Sequence, residues 1–151
     1  MLKRLSTLIQ AFLISAGAPA QAIETVKIGV LGDMSSIYAD GGGPGSVVAA
    51  QLAVEDFNRT ANGLKVEIIS ADHRNKADLG ANIARAWFDV GRVDVIIDVP
   101  NSAIALGVSA IAREKNKVLL VSSSATSDLT GKSCSPNTVH WPYDTWAVAN
   151  G

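Results

Sequence analysis

Two kinds of apolar pattern alternate along the chain from residue 26 onward. Short runs rich in Val, Ile and Leu predict strands, and they occupy residues 26–31, 64–70, 93–99, 117–121 and 138–141. Longer stretches with apolar residues three or four positions apart predict helices near residues 45–57, 79–90, 102–111 and 143–151. This alternation is typical of an α/β fold, a doubly wound parallel sheet with helices on both faces.

The first 22 residues have the organisation of a secretory signal peptide. Lys3 and Arg4 precede an apolar stretch from Leu5 to Ala16, and the segment ends in the small-residue pattern Ala20-Gln21-Ala22. The apolar stretch is shorter than the ~20 residues that span a bilayer, which disfavours a membrane anchor. We expect residues 1–22 to be removed on export to the periplasm, so that residues 23–151 form the folded unit.

Composition and charge narrow the class of protein. The chain is 48% hydrophobic and 18% charged, which allows a globular core. Its formal net charge is -1, and it has no basic patch with interleaved aromatic residues, so we expect no nucleic-acid binding. Cys134 is the single cysteine, which excludes an internal disulfide and leaves a buried thiol, a free thiol or a bridge to a partner.

The loops that follow the predicted strands are candidate site loops. Open parallel sheets bind ligands beyond the carboxyl ends of their strands, where the winding reverses. These loops are rich in glycine, hydroxyl and short polar residues, and they cover residues 32–45, 71–76, 100–103, 122–128 and 142–145. Helix N-termini in the same loops offer unpaired N–H groups to an anion.

Three motifs that suggest cofactor or catalytic chemistry have simpler interpretations. The glycine cluster in residues 41–46 lacks the Lys of a P-loop and favours a flexible turn, with Pro44 near a helix start. The serines of residues 121–127 stand outside a G-x-S-x-G frame, which argues against a hydrolase. The pair Asp72-His73 lacks a second histidine at helical spacing, so we expect a solvated loop and not a metal site. We therefore expect no cofactor, no metal and no enzymatic activity.

The hydroxyl run in residues 122–127 has three interpretations that can coexist. Ser124, Thr126 or Ser127 can cap a short helix that begins near Asp128. The serines can instead satisfy the polar groups at the end of the sheet. Their position at a strand end favours the third interpretation, in which they hydrogen-bond a small ligand without attacking it.

Four segments in this order resemble the periplasmic solute-binding proteins of ABC importers for branched-chain amino acids and related compounds. The segments are VKIGVLGDMSSIYADGGG, AAQLAVEDFN, VDVIIDVPNSAIALGVSAIAREKNKVLLVSSSATSDLTG and CSPNTVHWPYDTWAVANG. The resemblance implies a type I periplasmic binding fold, in which two lobes close over a solute and a membrane permease receives it. We expect this chain to be the first lobe, truncated, with the second lobe of the same protein missing.

The resemblance also implies which residues contact the solute. They are Tyr38, Asn101, Ser102, Ala103, Ser124, Ala125, Thr126, Tyr143 and Asp144. Ala103 stands where amino-acid binders of this group carry a ligand-contacting Ser, which counts against an ordinary branched-chain amino acid. The ending HWPYDTWA is similar to that of binders of aromatic acids and amides, so we expect an amino acid-like, aromatic acid or amide solute.

Two other classes stay open at this point. The same fold serves as the ligand-sensing domain of receptors and regulators, and a signal peptide fits an extracellular sensor equally well. An exported α/β hydrolase is the weaker alternative, because the chain shows no cluster of nucleophile, base or metal ligands.

Overall fold

A single parallel sheet organises the chain in a computed structural model that describes residues 24–61 and 63–151. The expected signal peptide therefore lies outside the described residues. The strands are β1 (Glu24–Gly32), β2 (Leu64–Asp72), β3 (Val95–Asp98), β4 (Val118–Val121) and β5 (Thr138–His140). Their order across the sheet is β2-β1-β3-β4-β5, and every pair is parallel. The predicted α/β fold with a parallel sheet is confirmed.

Helices connect the strands from β1 to β4, and one more helix follows β5. They are α1 (Ala39–Gly42), α2 (Pro44–Asn58), α3 (Ala77–Asp89), α4 (Ser102–Glu114) and α5 (Thr145–Asn150), with one 3₁₀ turn at Ser127–Leu129. The four helices predicted from the sequence correspond to α2, α3, α4 and α5. In the part of the chain that the structure describes, no helix has the length and apolarity to cross a membrane.

The hydrophobic core lies between the sheet and the helices α3 and α4. Because side chains alternate between the two faces of a strand, Leu31, Ile96 and Leu119 all point to this side. The core also contains Ala84, Phe88, Ile104, Val108 and Ile111. Helices α3 and α4 pack against each other as well as against the sheet, which makes this the more deeply buried face.

The opposite face of the sheet is covered by α2 and remains more open. No residue of α2 is buried. Between α2 and the strands lies a groove of about 370 Å³ with mostly apolar walls, including Ile28, Ile68, Ile97 and Leu120. Trp141 lines the same groove and is 58% exposed.

Strand β3 ends earlier than the apolar pattern predicts. The pattern runs through Val99, but Asp98 has φ 82° and Val99 has φ 57°. Both values lie in the left-handed region, which breaks the extended conformation and which a β-branched residue such as Val99 rarely adopts. The chain turns sharply here, directly at the edge of the sheet where the strand ends meet.

The winding of the chain reverses between β1 and β3. From β1 the chain passes to β2 on one side, and the later strands β3, β4 and β5 lie in order on the other. The loops after β1 and β3 therefore leave the sheet in opposite directions and open a crevice between them.

Candidate functional site

A cleft of about 360 Å³ occupies this crevice. Its walls come from the loops after four strands, namely β1, β3, β4 and β5. The lining residues are Tyr38, Gly41, Gly42, Pro100, Ser102, Ser122, Ser123, Ala125 and Tyr143. Four of the predicted contact residues, Tyr38, Ser102, Ala125 and Tyr143, thus lie around one cavity.

The loop that carries Tyr38 is organised by the buried carboxylate of Asp33. This carboxylate accepts hydrogen bonds from the backbone N–H groups of Ser36 and Tyr38, each at 3.1 Å, and from the Ser36 hydroxyl. Burial opposes ionisation of Asp33, but the hydrogen bonds from Ser36 and Tyr38 outweigh it, and the pKa of Asp33 falls below its ordinary value. An ionised Asp33 therefore fixes Tyr38 at the mouth of the cleft.

Asp72, the last residue of β2, also holds this loop by hydrogen bonds. It accepts a hydrogen bond from the backbone N–H of Met34 at 3.0 Å and one from the Ser35 hydroxyl at 2.6 Å. Burial raises its pKa, but these hydrogen bonds and that from the Arg74 backbone act more strongly, and the pKa of Asp72 is lowered. Two neighbouring carboxylates thus anchor a loop that has little apolar packing of its own.

The glycine cluster forms a short helix and a close approach, where the sequence favours a flexible turn. Gly41 and Gly42 belong to α1, and Pro44 is the first residue of α2 as predicted. A Cβ atom on Gly43 would lie 2.3 Å from the carbonyl oxygen of Ala39. Glycine is required here because the backbone of the loop folds back on itself beside the cleft.

Three serines of the hydroxyl run bind the turn at the end of β3. Ser122 and Ser123 donate hydrogen bonds to the same oxygen, Oδ1 of Asp98, at 3.2 and 2.7 Å. Ser124 is fully buried and donates to the carbonyl oxygen of Val99 at 2.5 Å. The Ser124 hydroxyl is thus buried and occupied, and Ser124 is not among the residues that line the cleft.

Asp98 itself lies beneath the cleft. Its side chain is almost fully buried, and its Oδ2 atom has no hydrogen-bond partner among the residues that the structure describes. Burial raises the pKa of this carboxyl group, although the hydrogen bond from Ser123, the nearby hydroxyl of Ser46 and the hydrogen bond from Ser122 act in the opposite direction. A Cβ atom on Gly42 would lie 3.5 Å from Oδ2 of Asp98. Because Gly42 lines the cleft, Oδ2 lies directly behind the lining.

The side chain of Asn101 caps the start of α4. Oδ1 of Asn101 accepts hydrogen bonds from the N–H groups of Ala103 at 2.8 Å and of Ile104 at 3.1 Å. The Asn101 amide also donates to Asn75 at 2.6 Å. Asn101 is therefore occupied as a cap, Ala103 is exposed outside the cleft lining, and Ser102 is the residue of this group that lines the cleft.

Two further predicted contacts are helix caps. The Thr126 hydroxyl accepts from the N–H of Asp128 at 3.3 Å, so Thr126 caps the 3₁₀ turn. Asp144 accepts from the N–H of Ala147 at 2.7 Å and caps α5. The capping interpretation is confirmed for Thr126, and neither residue is among those that line the cleft.

The expectation of a solvated loop at His73 is wrong. His73 is fully buried, and its Nδ1 atom accepts a hydrogen bond from the backbone N–H of Asn75 at 3.0 Å. Burial lowers the pKa of His73 despite the nearby carboxylates of Asp33, Asp72 and Asp98. A short polar sequence after a strand carries no signal that distinguishes a surface loop from a buried one.

Ser122 and Ser123 line the cleft although the sequence prediction passed over them. The signal that could have found them is their position, since they directly follow Val121, the last residue of β4. Gly41, Gly42 and Pro100 were also missed, because they contribute backbone or ring surface and no recognisable chemistry. Within residues 24–61 and 63–151, no three His, Cys, Asp or Glu side chains group in a way that could hold a metal ion.

Comparison with known proteins identifies the group to which this architecture belongs. The model of the family described as periplasmic binding protein matches residues 25–151. The chain belongs to the periplasmic binding protein family. The resemblance seen in the sequence is thus confirmed, and the family is one of solute-binding proteins that act in transport outside the cytoplasm.

Solved members of the periplasmic binding protein family share both the fold and part of the sequence. A periplasmic binding protein from Burkholderia mallei has 44% identity and a TM-score of 0.81, over 85% of this chain and 34% of its own. A branched-chain amino acid ABC transporter periplasmic ligand-binding protein from Burkholderia xenovorans has 42% identity and a TM-score of 0.74, over 79% of this chain and 32% of its own.

A third structure shows the chemistry of one bound solute. An ABC transporter solute-binding protein from R. palustris, solved in complex with 4-hydroxybenzoate, has 25% identity and a TM-score of 0.69, over 80% of this chain and 32% of its own. The present chain spans about a third of the length of these relatives and covers part of the type I periplasmic binding fold. No curated protein matches the chain.

Proposed function

We propose that the chain is the first lobe of a solute-binding protein that serves an ABC importer. The complete protein binds a small amino acid-like, aromatic acid or amide solute between two lobes and delivers it to a membrane permease. The observation that carries this proposal is the cleft at the switch point of the sheet, whose walls combine aromatic side chains with serine hydroxyls. Such a cleft can orient a small polar solute, as binding sites in open α/β sheets do.

The relatives support two of these solute classes, amino acids and aromatic acids. The protein from B. xenovorans belongs to a branched-chain amino acid transporter, and the protein from R. palustris holds 4-hydroxybenzoate. Tyr38 and Tyr143 stand on the walls of the cleft and supply flat apolar surface for a side chain or an aromatic ring. Ser102 also lines the cleft and forms no side-chain hydrogen bond with the described residues, so its hydroxyl is available to the solute.

Closure of two lobes is the proposed mechanism. A solute that contacts both lobes stabilises the closed arrangement, because its affinity for that arrangement exceeds its affinity for the open one. The permease then recognises the closed form. Residues of this chain contribute one side of the closed site, and the hydrogen bonds to Asp33 keep the Tyr38 loop in place before the solute arrives.

Isothermal titration of the complete protein tests the proposal, with L-leucine, 4-hydroxybenzoate and a library of related carboxylates and amides. We expect one solute class to bind, and Tyr38→Ala to weaken it by about tenfold or more, since a buried aromatic contact contributes on the order of 1–3 kcal/mol. Ile37→Ala is the matched control, because Ile37 is the neighbouring residue, is 77% exposed and is absent from the cleft lining. Absence of binding across the library would overturn the function, and equal effects of both variants would overturn the site.

A further inference from the structure

The cleft wall after β4 has a defined hydrogen-bonding direction. Ser122 and Ser123 line the cleft, and both hydroxyl groups donate to Oδ1 of Asp98. A serine hydroxyl has one proton, and it can accept through two lone pairs. Each hydroxyl that gives its proton to Asp98 therefore has only acceptor capacity left for a solute.

Two N–H donors at the start of α4 are also occupied. The N-terminus of a helix ordinarily offers N–H groups to an anion, but in α4 the N–H groups of Ala103 and Ile104 are taken by Asn101. Two of the N–H groups that could meet a carboxylate next to Ser122 and Ser123 are thus already taken. Ser102 is the remaining hydroxyl of this wall and can donate or accept.

The orientation of both hydroxyls does not depend on the charge of Asp98. Oδ1 accepts hydrogen bonds when the group is a carboxylate and also when the proton resides on Oδ2, the oxygen without a protein partner among the described residues. In the carboxylate state, the buried negative charge additionally repels an anionic group placed above Ser122 and Ser123. In both states, this end of the cleft therefore favours a solute group that donates a hydrogen bond.

We infer that Asp98, through Ser122 and Ser123, makes this end of the cleft accept hydrogen bonds, so that the solute points a donor group at it and its carboxylate elsewhere. The donor is an ammonium, an amide N–H or a phenolic hydroxyl. This inference rests on the proposed function and refines it, because it assigns the orientation of the solute. Asp98 is a positioning residue in this scheme, and the two serines are the contacts.

Two pairs of solutes that differ in one donor test the inference by isothermal titration of the complete protein. The pairs are 4-hydroxybenzoate with 4-fluorobenzoate, and L-leucine with 4-methylpentanoate. In the pair that binds, we expect the member without the donor to bind about tenfold more weakly, since it leaves the acceptors unpaired. In the Ser122→Ala, Ser123→Ala double variant and in Asp98→Ala, the ratio of the two dissociation constants should fall toward one, because the first variant lacks both acceptor oxygens and the second frees the serine protons to donate.

The ratio of the two dissociation constants separates the loss of a hydrogen-bond acceptor from a general loss of structure. A variant that only loosens the fold weakens both members of a pair equally and leaves the ratio unchanged. Ser133→Ala is the control, since Ser133 is exposed and lies outside the cleft lining. A wild-type ratio near one, or a ratio that persists in the variants, would overturn the inference and leave the proposed function standing. Failure of both pairs to bind would overturn the inference, and failure of the whole library as well would overturn the function.

Discussion

The hydroxyl residues after β4 have separate tasks, although they form one run in the sequence. Ser122 and Ser123 hold the carboxylate of Asp98, Ser124 holds the carbonyl of Val99, and Thr126 caps the next turn. Consecutive left-handed residues such as Asp98 and Val99 cost free energy and persist only where neighbouring groups hold them. The run therefore stabilises a strained turn and, through two of its members, forms part of the cleft.

Ser124→Ala should lower the stability of the protein without changing its solute preference. The variant leaves the buried carbonyl of Val99 without its donor, and such a loss costs roughly 1–3 kcal/mol. Urea unfolding followed by circular dichroism measures this change in the free energy of unfolding. Ser133→Ala serves as the exposed control and should change stability by less than about 0.5 kcal/mol.

A different result for Ser124→Ala would return this residue to the cleft. If the variant unfolds at the same urea concentration as the wild type but loses solute binding, the Ser124 hydroxyl acts on the solute and the structural assignment is wrong. The residue scale is also where sequence reasoning was least accurate, because one-dimensional order does not show which serine of a run points inward. Burial of Ser124 depends on the turn of Val99, which the sequence pattern predicts as extended strand.

Elements were more predictable than single side chains. The strands β1, β2 and β4 follow β-branched runs, and amphipathic spacing marks α3 and α4, because burial on one face selects a regular period. The short helix α1 was missed, since its glycines lack helix propensity and it is held by contacts from Tyr38 and the loop around it. Local pattern thus predicts elements that bury a face, and fails where tertiary contacts impose the conformation.

Two glycines inside neighbouring helices give opposite predictions. A Cβ atom on Gly80 of α3 would lie 2.5 Å from Cγ2 of Ile104 in α4, whereas one on Gly107 of α4 would meet no atom within 4 Å. Gly107→Ala should stabilise the protein by about 0.5–1 kcal/mol through helix propensity. Gly80→Ala should destabilise it, because overpacking costs typically 1–3 kcal/mol and exceeds that gain.

Thermal unfolding of the two variants, recorded side by side, measures this difference. Each substitution adds one methyl group to a helix interior, so the pair isolates the contact between α3 and α4 from propensity. Equal shifts of the midpoint in the same direction would mean that Ile104 moves aside freely and that the two helices are not tightly packed. The comparison of the two variants therefore also measures how tightly α3 and α4 pack against each other.

At the scale of the whole molecule, the cleft is open to solvent. Its lining residues come from four loops of a single sheet, and the exposed fraction of Tyr143 is 62%. A site that encloses a solute removes most of the solute's surface from water, and an open cleft does not achieve this. The relatives are about three times as long as the segment that they share with this chain, and we propose that the missing contacts come from that remainder.

The chain alone should therefore bind a solute far more weakly than the complete protein. Residues 23–151 and the complete protein are compared by isothermal titration with the same solute, and we expect the affinity of the chain alone to be lower by at least about a hundredfold. Loss of half the contacts and of the enclosed cavity is the reason. Sub-micromolar binding by residues 23–151 would contradict the two-lobe mechanism.

The position of β1 in the sheet also constrains how the protein reaches its folded state. This first strand lies inside the sheet and pairs with β2 from Leu64 and with β3 from Val95. Synthesis must pass Val95 before both neighbours exist, and closing such long loops precedes any gain from the pairing, which slows folding. We propose that this delay suits export, because a chain whose interior strand β1 pairs late stays unfolded while it crosses a membrane.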